Sequence, residues 1–164
     1  MLTLKKYMIE NKKCACCAKQ PGAGARCPVC GGLSPAVEAD TVRSLLKKTV
    51  KLPRGAAFNI CAVPDCEVSY FTAGKYWTVK NTTVPFDFKT GASIRYACYC
   101  NKLTYEETAK AVAGGAVVAW SEVVKAVKGK LNKCQCAEKN PFGVCCTSNS
   151  FGLAVKAAIN RRKS

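Results

Sequence analysis

The chain has 164 residues, no histidine and a formal net charge of +16 from 26 basic and 10 acidic side chains. This length allows one domain of ordinary size or two small ones. The absence of histidine excludes imidazole catalysis and mixed cysteine–histidine metal sites. Thirteen cysteines, about 8% of the residues, approach the content at which disulfides or metals supplement a small core. The composition favours a metal-binding protein over an enzyme, and we predict no catalytic residues.

The cellular compartment decides whether clustered cysteines form disulfides or bind metals. The first ten residues contain no apolar run long enough for a secretory signal, and the longest apolar stretch, residues 111–120, is about half of a membrane span. We therefore predict a cytoplasmic protein without membrane contact. In a reducing compartment, clustered cysteines are more often metal ligands than disulfide partners.

The N-terminal residues are basic, and a first group of cysteines follows them. We predict that residues 1–13 form a basic leader. Cys14, Cys16 and Cys17 come next, beside a glycine-rich turn region. Soft thiolates of this kind can hold a labile metal such as Cu(I). The alternative is that they are uncommitted thiols, or that one of them joins a neighbouring metal site.

Residues 14–90 are predicted to form a small β-rich module. Residues 41–48 have the spacing of a helix, with Asp40 as its N-cap. Short strand-like runs follow at residues 57–61, 67–71 and 76–79.

Two cysteine pairs in this module have the spacing of zinc ligands. Cys27 and Cys30 are separated by two residues, and Cys61 and Cys66 by four. Both gaps are usual for structural zinc, which four thiolates enclose in a tetrahedron. We predict a structural zinc site at these four residues, with a second redox or metal-transfer site as the alternative.

Residues 91–164 are predicted to form a second, helical module. Thr104 and Glu107 have the spacing of a capping box that begins a helix ending near Ala113. A second helix is predicted over residues 116–128, ending at Gly129. A last helix begins after Thr147 or Ser148 and runs through Ile159.

This module contains six cysteines that flank the predicted helices: Cys98, Cys100, Cys134, Cys136, Cys145 and Cys146. The two residues of a Cys-x-Cys are too close in sequence to be ordinary disulfide partners. Thiolates from loop ends can instead converge on iron or zinc. We predict an iron–sulfur cluster, and a zinc site is the alternative.

The residues Tyr96-Ala-Cys98-Tyr-Cys100-Asn-Lys-Leu-Thr104, followed by helix, glycine, helix and Cys134, resemble the [2Fe–2S] domain of bacterioferritin-associated ferredoxin. The run Cys134-x-Cys136-x4-Pro-x-Gly-x-Cys145-Cys146 is instead similar to the amino-terminal domain of CopZ-type copper chaperones. That domain binds zinc and [2Fe–2S].

The resemblance to the copper chaperones extends over about residues 14–155. It includes Cys16-Cys17, Cys27-Pro-Val-Cys30-Gly, Thr41-Val-Arg-Ser-Leu-Leu46 and Cys61-x2-Pro-Asp-Cys66-Glu-Val-x-Tyr-Phe71. It implies an α+β chain, in which a β-rich four-cysteine zinc module precedes a helix-turn-helix [2Fe–2S] module. The Met-x-Cys-x-x-Cys copper loop of full-length chaperones does not occur among these residues.

The resemblance also indicates a ligand set for the cluster. Cys98 and Cys100 match both families, and Cys134 matches the third ligand of the ferredoxin. Cys145 is predicted as the fourth ligand, because the turn at residues 141–143 can fold it back. The alternates are Cys136 and Cys146.

These sites predict a one-electron carrier or redox partner. Lys102, Lys130 and Lys133 near the cluster loops would favour the reduced, more negative cluster and attract an acidic partner protein. A copper-handling protein, which reduces Cu(II) and holds Cu(I) on spare thiolates, is the second hypothesis. The basic charge, roughly +12 after two thiolate sites are filled, allows a third, a zinc protein that binds nucleic acid.

Overall fold

The computed structural model describes residues 22–161 except 116–118 and 148–149. Within these limits the chain forms two compact units. The N-terminal unit comprises residues 22–95 and 137–144, and the C-terminal unit comprises residues 96–136 and 145–161. The change of unit after Arg95 lies near the predicted module boundary at residues 90 and 91. Segment 137–144, which the sequence assigned to the second module, packs with the first unit instead.

The N-terminal unit is built from short antiparallel strands. A two-stranded sheet pairs β1 (Ala25–Arg26) with β2 (Leu33–Ser34). A four-stranded sheet follows in the order β3 (Ala36–Val37), β4 (Phe58–Ile60), β5 (Val68–Phe71) and β6 (Tyr76–Thr78), and a 3-10 helix (Val79–Asn81) comes directly after it. All four residues of β5 are buried, as expected for a strand with neighbours on both sides.

Helix α1 (Ala39–Leu45) begins and ends earlier than its spacing predicted. Its N-cap position is Glu38, and Asp40 lies inside the first turn. The negative charge of Asp40 there still interacts favourably with the helix dipole. The helix stops at Leu45 because Leu46 is extended and forms a β-bridge with Thr82. Packing of Leu46 into the core therefore overrides the helical propensity of Lys47 and Lys48.

One hydrophobic core joins α1 to the four-stranded sheet. Its buried members are Val42, Leu45, Leu46, Phe58, Ile60, Tyr70, Trp77 and Phe86. Tyr70 meets Phe86 edge-on, with ring centroids 5.2 Å apart. Each such apolar side chain contributes about 1.5–3 kcal/mol on burial, so the unit has a core of its own in addition to its cysteines.

The C-terminal unit combines one small hairpin with helices. Its elements are β7 (Tyr96–Cys98), β8 (Leu103–Thr104), α2 (Tyr105–Ala113), α3 (Trp120–Lys128), the first residue of α4 (Cys136–Lys139) and α5 (Ser150–Arg161). Its buried apolar side chains include Leu103, Val112, Val123, Phe151 and Val155. Among the described residues, no helix is long and apolar enough to cross a membrane. The protein thus mixes helices with small sheets.

The predicted capping box and helix-ending glycine of this unit are confirmed, whereas α3 begins at Trp120, after the extended Ala119, and not at residue 116. The Thr104 side chain accepts from the Glu107 N–H at 3.1 Å, and the Glu107 carboxylate accepts from the Thr104 N–H at 2.9 Å. The same carboxylate pairs with Lys128 at 2.6 Å. Gly129 ends α3 in the left-handed conformation, with a φ of 72°, which glycine adopts without the Cβ penalty.

Candidate metal centres

Four thiols of the N-terminal unit converge on one point. The Sγ atoms of Cys27, Cys30, Cys61 and Cys66 all lie within 4.8 Å of one another. Cys27 and Cys66 are 3.9 Å apart, and Cys30 and Cys61 are 3.7 Å apart. Zn–S bonds of about 2.3 Å in a tetrahedron place sulfur atoms about 3.8 Å apart. The donor set and its spacing therefore fit one tetrahedral zinc ion.

The first cysteine pair sits in the tight turn between β1 and β2. The Cys27 N–H donates to the Gly32 carbonyl, and the Gly31 N–H donates to the Cys27 carbonyl, both at 2.9 Å. Gly31 has a φ of 71°, which favours glycine at this position. These bonds hold the Cys27 and Cys30 side chains on the same side of the turn.

The second pair brackets the connection from β4 to β5. The Cys61 N–H donates to the Ser69 carbonyl at 3.0 Å, and the Cys66 N–H donates to the Val63 carbonyl at 3.3 Å. The buried Lys89 ammonium also donates to the Val63 carbonyl, at 2.8 Å. The lysine thus fixes the loop and brings a positive charge near the thiols.

The two cysteine turns approach each other closely at Gly32. A Cβ atom at this position would lie 2.4 Å from the Val63 Cγ2 atom and 3.4 Å from the Cys30 Sγ atom. The first distance is well inside van der Waals contact, so only glycine lets the turns meet without a shift of Val63. The convergence of the four thiols depends on this missing side chain.

Burial and hydrogen bonding affect these thiols differently. Burial raises the pKa of Cys66 to about 12, and it also raises the pKa of Cys61. The hydrogen bond from the Gly32 backbone lowers the pKa of Cys30, the exposed member, to about 7. Without a cation the buried thiols resist ionising together, and a divalent metal supplies the charge that makes four thiolates stable.

Six thiols gather in the C-terminal unit, over a wider region. Cys100, Cys134 and Cys136 have Sγ atoms within 4.8 Å of one another. The Cys136 Sγ atom lies 3.3 Å from that of Cys134, 3.7 Å from that of Cys100 and 3.8 Å from that of Cys146. Cys136 is therefore central to the group. Because Cys146 lies outside the trio, the thiols extend beyond the space of one compact tetrahedron.

The same thiols differ in burial and in the direction in which hydrogen bonds between them shift their pKa values. Cys98, Cys100, Cys136, Cys145 and Cys146 are buried, and Cys134 is half-buried. The thiols of Cys100 and Cys146 lower the pKa of Cys98 by hydrogen bonding to its sulfur. The hydrogen bond that Cys136 makes to Cys100 instead raises the pKa of Cys136. Cys145 contacts the Thr147 hydroxyl at 3.0 Å and also interacts with Cys136.

Several N–H groups surround these sulfur atoms. The Gln135 backbone N–H donates to the Cys100 Sγ atom at 3.1 Å, and the Asn101 Nδ2 atom donates to the Cys98 Sγ atom at 3.5 Å. The buried indole N–H of Trp120 also helps to lower the pKa of Cys98. Such donors stabilise negative sulfur.

Regular elements hold the two ends of this group. Cys98 ends β7, and Cys100 lies in the turn before β8. The Phe151 N–H, at the start of α5, donates to the Cys146 carbonyl at 2.9 Å, and the Ser150 hydroxyl donates to the Ala97 carbonyl at 3.3 Å. Helix α5 therefore fixes the position of Cys146 beside β7.

Asn101 connects two of the loops that carry cysteines. Its side chain is buried, donates to Cys98 and accepts from the Asn132 backbone N–H at 2.8 Å. We expect Asn101→Ala to lower metal affinity at the C-terminal cysteines by about 10- to 100-fold, the usual effect of losing a group that orients a ligand. Competition with a chelator, with the zinc of the N-terminal unit counted separately, measures this change.

Asn132→Ala is the matched control for that experiment, because its backbone N–H still donates to Asn101. Equal metal retention in the two variants would contradict the positioning role of the Asn101 side chain.

The structure brings together the four predicted zinc ligands, and it gathers the predicted cluster ligands with their alternates. Cys14, Cys16 and Cys17 lie outside the described residues. Sequence reasoning missed Asn101, Gln135 and Trp120 as donors to sulfur. Asn101 is next to Cys100 and Gln135 is next to Cys134 in the sequence, and this adjacency could have indicated donors to sulfur. No local feature indicates such a role for Trp120.

Known proteins place these observations in context. Residues 24–84 match the family model of a CopZ-type zinc-binding domain. The structure is similar to the crystal structure of the Archaeoglobus fulgidus CopZ N-terminal domain, with 25% sequence identity and a TM-score of 0.59. That match covers 74% of this chain and 91% of the other. No curated protein sequence matches the chain significantly. The N-terminal part is therefore similar to a zinc-binding domain of CopZ type.

Proposed function

We propose that this metal-binding protein is a one-electron carrier or redox partner that takes part in copper handling. In this proposal a structural zinc ion is bound by Cys27, Cys30, Cys61 and Cys66, and a [2Fe–2S] cluster is bound in the C-terminal unit. The observation that carries the redox role is the extended group of buried thiols surrounded by N–H donors.

The proposed cluster ligands are two pairs of cysteines. Cys98 and Cys100 form the first pair, as the sequence predicted. Cys136 is buried whereas Cys134 is half-buried, and the Cys136 Sγ atom lies 3.7 Å from that of Cys100 and 3.8 Å from that of Cys146. These observations support the alternates Cys136 and Cys146 as the second pair. The originally predicted Cys134 and Cys145 stay as competing ligands.

When bound, a [2Fe–2S] cluster supplies a one-electron couple that requires little ligand movement. The chain would contribute thiolates held on β7 and before α5, in a site with little access to water. Donors such as Asn101 and the Gln135 backbone N–H would make the more negative, reduced state easier to reach.

Exposed lysines near the cysteine loops support an acidic redox partner. Lys102, Lys130 and Lys133 are all exposed. Exposed positive side chains accelerate encounter with a negatively charged surface, and this effect weakens as salt concentration rises. The proposed partner is therefore an acidic protein that exchanges one electron.

A metal analysis tests the proposal directly. Protein purified anaerobically should contain about two irons, two sulfides and one zinc per chain and should be coloured. The double variant Cys98→Ala/Cys100→Ala should lose the colour, the iron and the sulfide and keep the zinc. A colourless protein with zinc at both centres, despite adequate iron supply, would rule out the redox role.

Copper binding is the second candidate, favoured by the half-buried Cys134 and its Sγ atom 3.3 Å from that of Cys136. Two neighbouring soft thiolates suit Cu(I). In this candidate one electron from a reduced [2Fe–2S] cluster would convert Cu(II) to Cu(I) and leave the cluster oxidised. Cys134 and Cys136 would then hold the Cu(I), with Cys145 in place of Cys136 as a cluster ligand. Cu(I) uptake in competition with bicinchoninate that disappears in Cys134→Ala would favour this candidate.

A further inference from the structure

Segment 137–144, which we call the strap, belongs to the N-terminal unit although both of its neighbours in sequence belong to the other unit. The chain thus passes from the C-terminal unit into the N-terminal unit after Cys136 and returns before Cys145. Both crossings lie next to cysteines of the C-terminal metal centre.

The strap is held by specific contacts inside the N-terminal unit. The Thr41 hydroxyl of α1 donates to the Ala137 carbonyl at 2.6 Å, and the Tyr70 hydroxyl of β5 donates to the Pro141 carbonyl at 2.7 Å. The Phe142 ring lies 4.9 Å from that of Phe88. Tyr70 is fully buried, so in the docked state its hydroxyl bonds to the Pro141 carbonyl and not to water.

A close approach fixes the register of the strap. Gly143 has a φ of 67°, and a Cβ atom there would lie 2.7 Å from the Thr41 hydroxyl oxygen. The backbone at Gly143 therefore rests directly against α1. With Ala137 bound to the same threonine, both ends of the strap are anchored at one helical residue.

We propose that the strap makes metal retention at the two centres interdependent. This inference rests on the proposed function, because both centres must bind metal. Metal bound to cysteines on both sides of the strap closes residues 136–146 into a short loop and lowers the entropy lost when the strap docks. Loss of that metal frees both ends, so the contacts with Thr41 and Tyr70 are more easily broken.

The coupling reaches the zinc site through the fold of the N-terminal unit. Tyr70 lies on β5, the strand that directly follows Cys66 and whose Ser69 carbonyl binds the Cys61 N–H. Weakening the strap therefore weakens the element that positions two zinc ligands. Because linkage is reciprocal, zinc binding should raise metal affinity at the C-terminal cysteines by the same factor.

Zinc affinity in a set of four proteins tests the coupling. Competition with 4-(2-pyridylazo)resorcinol is measured for the wild type, for Cys98→Ala/Cys100→Ala, for the anchor variant Thr41→Val/Tyr70→Phe and for the combined variant. Loss of the C-terminal metal should lower zinc affinity by about two- to tenfold when the anchors are intact, the value of one or two hydrogen bonds. The same loss should have no effect in the anchor variant.

Thr83→Val is the matched control, because Thr83 also donates from its hydroxyl to a backbone carbonyl, that of Leu45 at 3.0 Å, and this acceptor lies outside the strap. It should keep the full coupling. If the anchor variant does not fold, Phe142→Ala takes its place.

Two results would overturn the coupling: the same zinc affinity with and without the C-terminal metal in the wild type, or an undiminished effect in the anchor variant. A wild type without any metal at the C-terminal cysteines would instead overturn the proposed function, and the coupling with it.

Discussion

Cys27→Ser and Cys61→Ser should each prevent the N-terminal unit from folding. The four thiols lie at the spacing of a zinc tetrahedron, and a structural zinc contributes on the order of 10 kcal/mol to the folding of a small module. That value is comparable to the whole stability of a small domain, so the hydrophobic core around Tyr70 is not expected to compensate. Zinc content and circular dichroism measure the loss.

Cys134→Ser is the control for the zinc variants, since it removes a thiol from the other unit and should leave zinc content and the fold of the N-terminal unit unchanged. Soluble, folded Cys27→Ser protein without zinc would show that the core alone holds these strands. The ion would then be an accessory to this fold.

Removal of Cys136 should abolish the coloured cluster, whereas removal of Cys134, two residues away, should leave it intact. Cys136 is buried and has Sγ neighbours at 3.7 and 3.8 Å in Cys100 and Cys146. Without it, one iron would be open to solvent and oxidation. Visible absorption and the iron content of Cys136→Ala and Cys134→Ala, both purified anaerobically, measure the difference.

The adjacent pair Cys145 and Cys146 offers a second comparison of the same kind. Cys146→Ala should be colourless and Cys145→Ala coloured, because the α5 hydrogen bond to the Cys146 carbonyl holds that residue beside β7. A colourless Cys134→Ala together with a coloured Cys136→Ala would restore the ligand set first predicted from the sequence.

The sequence predicted those features that local chemistry decides. A capping box needs only Thr104 and Glu107 at the right spacing, and a helix end needs only Gly129, so both could be predicted from a few residues. Cysteine spacing likewise marked Cys27 with Cys30 and Cys61 with Cys66, because each pair lies in a single tight turn.

Features that depend on distant contacts could not be read from the sequence. The strap is held by Thr41 and Tyr70, which are 96 and 71 residues away from their partners Ala137 and Pro141. No local pattern distinguishes such a segment from an ordinary loop between cysteines. The early end of α1 has the same origin, since Leu46 leaves the helix to enter the core and to pair with Thr82.

The choice of one cysteine in each pair as the proposed cluster ligand also depends on tertiary contacts. Cys134 and Cys136 have the same side-chain chemistry and differ only in burial and in their sulfur neighbours. The local sequence does not determine that difference. The sequence alone therefore leaves Cys134 and Cys136 as alternative ligands.

The close approach at Gly32 has a consequence for the evolution of the fold. Position 32 is closed to larger residues only because Val63 occupies the space that a Cβ atom would need. The two positions should therefore vary together among homologues: glycine at 32 permits valine at 63, and alanine at 32 should occur with a smaller residue at 63. A lineage that enlarged position 32 alone would separate the two turns before any cysteine had changed.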